Sequence, residues 1–297
     1  MSGYVKYAYL ALVAALPAAA PASAADIQGH AIGYLVSVEK PPADLGFEAQ
    51  VSATLTKTCE GWGYGAALYY SIDRTTKGGK RDPKAAMSDR SDIYNERIKF
   101  SEALDGLSMA YEASYRAVSA SEQTRGTILF GGATAPGTLD MKSDKIARKV
   151  PVPAGALPPV ALRAALIDQL AALQPLPPGA PAPSWKVTTV EIGRFHTPID
   201  ATFELVPAAA VPAKPPPPPP RGAVVVAPPP KLDSPLLKTP SWTLKMTSKG
   251  VGEWVESTFT LHQSGVISAF TFKREGFVWQ AYAKELNAFP NPACGGR

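Results

Sequence analysis

Alternation of apolar and polar residues with a period of two dominates the chain. From Phe47 the positions Phe47, Ala49, Val51, Ala53 and Leu55 point one way, while Glu48, Gln50, Ser52, Thr54 and Thr56 point the other, which is the pattern of a half-buried strand. Trp62, Tyr64, Ala66, Leu68, Tyr70 and Ile72 repeat it, with Gly61, Gly63 and Gly65 on the opposite face, where missing side chains permit bending or close backbone approach. Ile32, Tyr34, Val36 and Val38 predict a first strand. Leu107, Met109, Tyr111, Ala113 and Tyr115 predict another, followed by a shorter Thr127 to Phe130. Trp185 to Ile192 and Pro198 to Leu205 supply two more in the middle. Toward the C-terminus, Ser257 to His262 and Val266 to Lys273 flank Gln263-Ser264-Gly265 with hairpin spacing, and Phe277 to Leu286 follows Arg274-Glu275-Gly276. The set predicts a mainly β fold arranged as an antiparallel meander.

One segment departs from this period. Leu157 to Leu173 opens with Pro158-Pro159, suited to a first helical turn, and places Leu162, Leu166, Leu170 and Leu173 at helical spacing. It predicts a single amphipathic helix packed against the sheet, with Arg163 and Asp168 on its polar side.

Composition adds a division to this picture. Of 297 residues, 31 are prolines, about twice average usage, yet thirteen of them fall between Pro207 and Pro240, including the unbroken run Pro215 to Pro220. Residues 207–240 therefore read as a disordered or polyproline II insertion between strands, a spacer or a docking motif for an aromatic-grooved partner. Residues 1–24 read as a signal peptide: Lys6 precedes an apolar run from Tyr7 to Leu16, and Ala22-Ser23-Ala24 has the small-residue form of a cleavage site, expected after Ala24. The apolar run is too short to span a bilayer, which takes roughly 20 residues. The mature chain, residues 25–297, is expected in the periplasm as one domain.

Charge excludes a further class. An excess of 30 basic over 25 acidic residues, net +5, is too small and too scattered for nucleic-acid binding. Lys77, Lys80, Arg81 and Lys84 do cluster, either as a solvated hairpin tip or as a peripheral contact with an anionic envelope surface.

Candidate chemistry is sparse. The three histidines, His30, His196 and His262, have no second His or Cys at metal-ligand spacing, and each belongs beside or within a strand, so structural roles are expected. Gly106-Leu107-Ser108-Met109-Ala110 imitates half of a nucleophile elbow, but alternation runs straight through Ser108. Lys77-Gly78-Gly79-Lys80-Arg81 lacks phosphate-loop spacing, and the carboxylates form no identifiable pair. No catalytic, cofactor or metal residue is assigned. In an exported chain the two cysteines, Cys59 and Cys294, imply either a disulfide tying the first strands to the C-terminus or, alternatively, a free or redox-active thiol.

Several short motifs, taken in order, carry a resemblance. Cys59-Glu60-Gly61-Trp62, then Val152-Pro153-Ala154-Gly155-Ala156-Leu157 leading into the helix, Leu261-His262-Gln263-Ser264-Gly265-Val266, Phe277-Val278 and the terminal Asn291-Pro292-Ala293-Cys294 resemble the EipB-like cell envelope integrity proteins. The match runs from about His30 to Cys294. It implies a periplasmic protein of Gram-negative, typically alphaproteobacterial, cells that helps maintain the envelope, with a disulfide between the positions of Cys59 and Cys294. It further implies one spiralling, open barrel-like antiparallel sheet around a cavity, shaped like the periplasmic lipoprotein carriers, with a helix near the opening. The long proline insertion and the basic loop depart from that pattern. The expected function is non-enzymatic maintenance of the envelope, with a lipid or lipoprotein acyl chain in the cavity. The alternatives are a scaffold for an envelope protein, using a sheet edge or the proline segment, and a hydrolase of envelope polymers.

Overall fold

A computed structural model describes residues 14–15, 27–41, 45–73, 76–77, 80–81, 93–118, 120–173, 180–191, 197–207, 232–249, 256–274 and 276–294. Besides three two-residue pieces, the described residues form β1 (Gly29–Val38), β2 (Gly46–Lys57), β3 (Gly61–Asp73), β4 (Ile93–Ala103), β5 (Ser108–Ala117), β6 (Ser121–Leu129), β7 (Gly137–Ser143) and β8 (Ala147–Val152). After these come a helix, α1 (Pro159–Ala171), and then β9 (Ser184–Glu191), β10 (Thr197–Leu205), β11 (Ser241–Lys249), β12 (Glu256–His262), β13 (Ile267–Arg274) and β14 (Phe277–Phe289). The fold is mainly β with one helix, as the alternation predicts.

All of these strands belong to one antiparallel sheet in the order β9-β10-β11-β12-β13-β14-β1-β2-β3-β4-β5-β6-β7-β8; the piece Ala14–Ala15 runs parallel beside Trp185 and Lys186 of β9. The first and last strands meet in its middle, paired from Gly29↔Phe289 to Val38↔Trp279. Its outermost long strands, β8 and β9, are consecutive in sequence, and α1 is the link between them. The sheet curls into a nearly closed barrel because both edges reach that helix. Val152 of β8 and Trp185 and Val187 of β9 share one buried cluster with Val160, Leu162, Leu166 and Leu170 of α1.

The helix differs from the amphipathic expectation. Val160, Leu162, Ala164, Ala165, Leu166, Ile167 and Leu170 are all buried, and these positions go almost fully round the axis. Among its residues only Asp168 and Ala171 are exposed. A helix apolar on nearly every side belongs inside a fold, and α1 is a plug in one end of the barrel rather than a cover on its surface.

Four strands go beyond the alternation picked out in the sequence: β4, β7, β8 and β11. In β4 the inward positions read Tyr94, Glu96, Ile98, Phe100, Glu102, and two acids in phase with apolar residues mask the pattern. Of residues 207–240, 208–231 lie outside the described residues, but Leu232–Pro240 are ordered. Pro235–Leu237 form a 3-10 turn whose Leu236 amide donates to the Ser234 hydroxyl, and Leu236 packs with Ile32, Val266 and Ala283. The insertion is therefore shorter at its C-terminal end than composition suggests.

Cys59, in the β2–β3 turn, is disulfide-bonded to Cys294, with Cα atoms 5.4 Å apart. Beside it Asn291 latches the N-terminal end of β1: its Oδ1 accepts from the Gly29 amide and its Nδ2 donates to the Ile27 carbonyl.

Candidate ligand-binding cavity

Strand register divides the barrel interior into three zones. At the plug end Leu55, Trp62, Phe100, Met109 and Ile128 pack on α1. At the opposite strand ends lies an aromatic stack: Tyr70 on Tyr94 with ring centroids 5.1 Å apart, Tyr70 against Trp279 at 5.3 Å, and Phe272 stacked on Trp279 at 6.1 Å. Between them a cavity of about 320 Å³ remains, walled by residues of β1–β4 and β11–β13. Space is left because Ala53 and Ala66 face each other across β2 and β3, where the neighbouring pairs are Val51 with Leu68 and Leu55 with Tyr64. Phe259, Phe270, Met246 and Ile98 complete an apolar lining, the usual character of a small-molecule site.

Polar groups in and near the wall are held. The Tyr34 hydroxyl donates to the Ile267 carbonyl at 2.8 Å, and its ring meets Phe270 edge-on at 5.0 Å. Burial raises the pKa of both Tyr34 and Tyr64, so both phenols stay protonated. Glu96 lines the cavity, 8% exposed, and accepts a 2.9 Å hydrogen bond from the Tyr94 hydroxyl.

Below the cavity Glu102 fastens the plug to the wall. Its two carboxyl oxygens each accept a 2.8 Å hydrogen bond, from the amides of Val160 and Ala161, the first turn of α1. Pro158, at the cap position, offers no side-chain bond. Burial pushes the Glu102 carboxyl up to about 7, opposed by those two amides and by the charge of Arg163. Arg163 donates to the Gly265 carbonyl at 3.0 Å.

Apart from Cys59 and Cys294, the residues singled out in the sequence that are among the described residues do not converge on one another. His30 bonds through Nδ1 to the Gln28 carbonyl, and burial lowers its pKa to about 4. Ser108 is a strand residue at the start of β5, and His196 and Lys84 lie outside the described residues. Lys77 and Lys80 pair in a two-residue ladder. The structure does pair His262 with Ser268, Nε2 to Oγ at 2.8 Å, across the bulged start of β13. However, no carboxylate among the described residues bonds to the buried Nδ1 of His262, and burial lowers its pKa, opposed by the Thr239 backbone. An imidazole without an orienting acid is a poor base for a serine. Sequence reading missed Glu96 and Glu102; the signal that could have found them is acids spaced by two in phase with Tyr94, Ile98 and Phe100.

A larger recess of about 560 Å³ lies on the outward face of β4–β7, bordered by Lys99, Glu112, Arg125, Asp140 and Lys142. Mixed charges on exposed strand positions make it a solvated fold of the sheet surface rather than a chamber. Among the described residues no group of three or more His, Cys, Asp or Glu could hold a metal, and no helix is long and apolar enough to cross a membrane.

Among solved structures this architecture is similar to the crystal structure of a β-barrel-like protein of a domain of unknown function, DUF1849, from Brucella abortus. The TM-score is 0.64, with 12% sequence identity over 89% of this chain and 99% of that one. The likeness is one of fold. No protein-family model and no curated protein matches the sequence.

Proposed function

We propose that this chain is a non-enzymatic periplasmic protein that supports the cell envelope by holding an apolar ligand, an acyl chain of a lipid or lipoprotein, in the cavity between the plug helix and the aromatic stack. The observation that carries the reading is the cavity itself. An apolar cleft is the usual character of a small-molecule site, and here about 320 Å³ stays open against an apolar wall. The motifs that resemble the EipB-like proteins support the envelope role, since those proteins carry the same DUF1849 domain as the Brucella abortus neighbour. The non-enzymatic reading draws on the weakness of the His262–Ser268 pair as a catalytic dyad.

The test is organic extraction and native mass spectrometry of mature protein purified without detergent. A bound lipid near one per chain is expected. Ala66→Phe, which fills the gap opposite Ala53, should lose that lipid while keeping the melting temperature within a few degrees. Protein that carries no lipid and takes up no alkyl probe would leave the scaffold alternative standing instead.

A further inference from the structure

At the aromatic end of the sheet, three aliphatic side chains stand out into solvent along one rim. Ile93 at the start of β4 is 41% exposed, Val118 in the β5–β6 turn 68%, and Ile146 in the β7–β8 turn 50%. The strand register sets them in a row. Tyr94 pairs with Ala117, which puts Ile93 beside Val118, and the Gln123 amide of β6 donates to Asp144 Oδ2 at 3.4 Å, which draws the turn bearing Ile146 against β6. Single exposed aliphatics are ordinary, whereas a run of them along one rim marks a contact surface. Charge says of what kind. Arg116, Lys142 and Lys145 are exposed among these residues, against a half-buried Glu122 and an Asp144 engaged by the Gln123 amide. The connection that joins β3 to β4, both of whose ends lie at this rim, has the same sign, with six basic to three acidic residues over 74–92. The opposite rim also exposes Leu104 and Leu107, but beside acids: Asp105 lies between them, and the Leu104 amide donates to the carbonyl of Glu60.

We infer that the β4–β8 rim at the aromatic end is a peripheral docking site for an anionic phospholipid surface. Ile93, Val118 and Ile146 enter the headgroup layer, while Arg116, Lys142 and Lys145 face its phosphates. Attachment at such an interface grows with the apolar area buried and with attraction to anionic lipid, and salt screens the second contribution. The inference goes beyond the cavity reading and does not depend on it, because Ile93 alternates with the inward Tyr94 and the other two side chains belong to turns.

Flotation of the mature protein with vesicles of phosphatidylcholine, and of phosphatidylcholine mixed with phosphatidylglycerol, at low and high salt, tests this. Binding to the mixed vesicles is expected at low salt, falling as salt is added and weaker by at least about tenfold on the neutral ones. Val118→Ser with Ile146→Ser, and separately Arg116→Glu with Lys145→Glu, should each weaken it about tenfold or more with the melting temperature held within a few degrees. If a rim pair does not fold, the lipid preference of the unaltered protein decides. Leu104→Ser with Leu107→Ser on the opposite rim, and Ala66→Phe in the cavity, should bind vesicles as the unaltered protein does. Absence of binding, equal binding to neutral vesicles, a folded rim variant that binds undiminished, or an equal loss in the opposite-rim pair would overturn the inference and leave the cavity reading untouched. Loss of vesicle binding in Ala66→Phe would overturn it as well, placing the lipid contact in the cavity instead.

Discussion

Glu102 supplies from a neighbouring strand the cap that the sequence of α1 does not. Ordinarily a Ser, Thr, Asp or Asn just before the helix satisfies the first free amides; here Pro158 occupies that position, and the carboxylate crosses from β4 to take the amides of Val160 and Ala161. Glu102→Ala should therefore cost roughly 1–3 kcal/mol for each amide left without a partner, read as a lower midpoint in urea. Its ionisation has a sign as well. A carboxyl near 4.5 when unfolded and about 7 when folded binds more protons in the native state, so its contribution falls as pH rises from about 4.5 to about 7. His30, lowered from 6.5 to about 4, acts the other way and loses stability as pH falls through that interval. Across it, the stability advantage of the unaltered chain over Glu102→Gln should shrink with rising pH, as measured by denaturant unfolding at several pH values. A constant difference would place the folded carboxyl in its ordinary range.

Elements were legible in the sequence where apolar residues kept strict phase. The first hairpin, β2 with β3, follows the alternation from Phe47 to Ile72, and the three C-terminal strands match within two or three residues, because one face of each meets the interior and the other meets water. The short motifs acquire reasons only in three dimensions. Gly61 lies where a Cβ would collide with the Glu102 carbonyl, Gly265 turns at φ +85° with Ile27 against it, and Asn291 ties down the start of β1. None of these contacts is local, so the residue types could be seen while their causes could not. The plug was the largest surprise at this scale. Leu162, Leu166 and Leu170 gave its spacing, but Ala164 and Ala165, which let the sheet close over its other side, are small enough to read as surface. The end of the proline-rich segment was hidden by composition: Leu236 is 8% exposed and packs on Ile32 and Val266. Leu236→Ala should cost about 2–4 kcal/mol in thermal or urea unfolding. A change below about half a kcal/mol would mean that this stretch adds nothing to the core.

At the scale of the whole molecule, β8 and β9 are the outermost of the long strands, and β1 and β14, the first and last of them, lie side by side at the centre. The disulfide reinforces the centre, joining the β2–β3 turn to Cys294, five residues past the end of β14, across a separation of 235 residues. In the chain-entropy account such a closure stabilises by at most about 5 kcal/mol. The double variant Cys59→Ser with Cys294→Ser should melt well below the oxidised protein, and reducing agent should lower the melting temperature of the unaltered chain to match. The same arrangement governs what happens to an incomplete chain. In most meanders the last strand is an outer one, and its loss trims the sheet. A chain that stops short of Phe277 loses its keystone instead: β9–β13 and β1–β8 become two half-sheets, with β1 and β13 each left as a bare rim of backbone donors and acceptors. Neither half can enclose the space between the plug and the aromatic stack, because Trp279 comes with the missing strand. A truncated or still-emerging chain is therefore sticky before it is hollow, and protection of those rims matters from the first residue made to nearly the last.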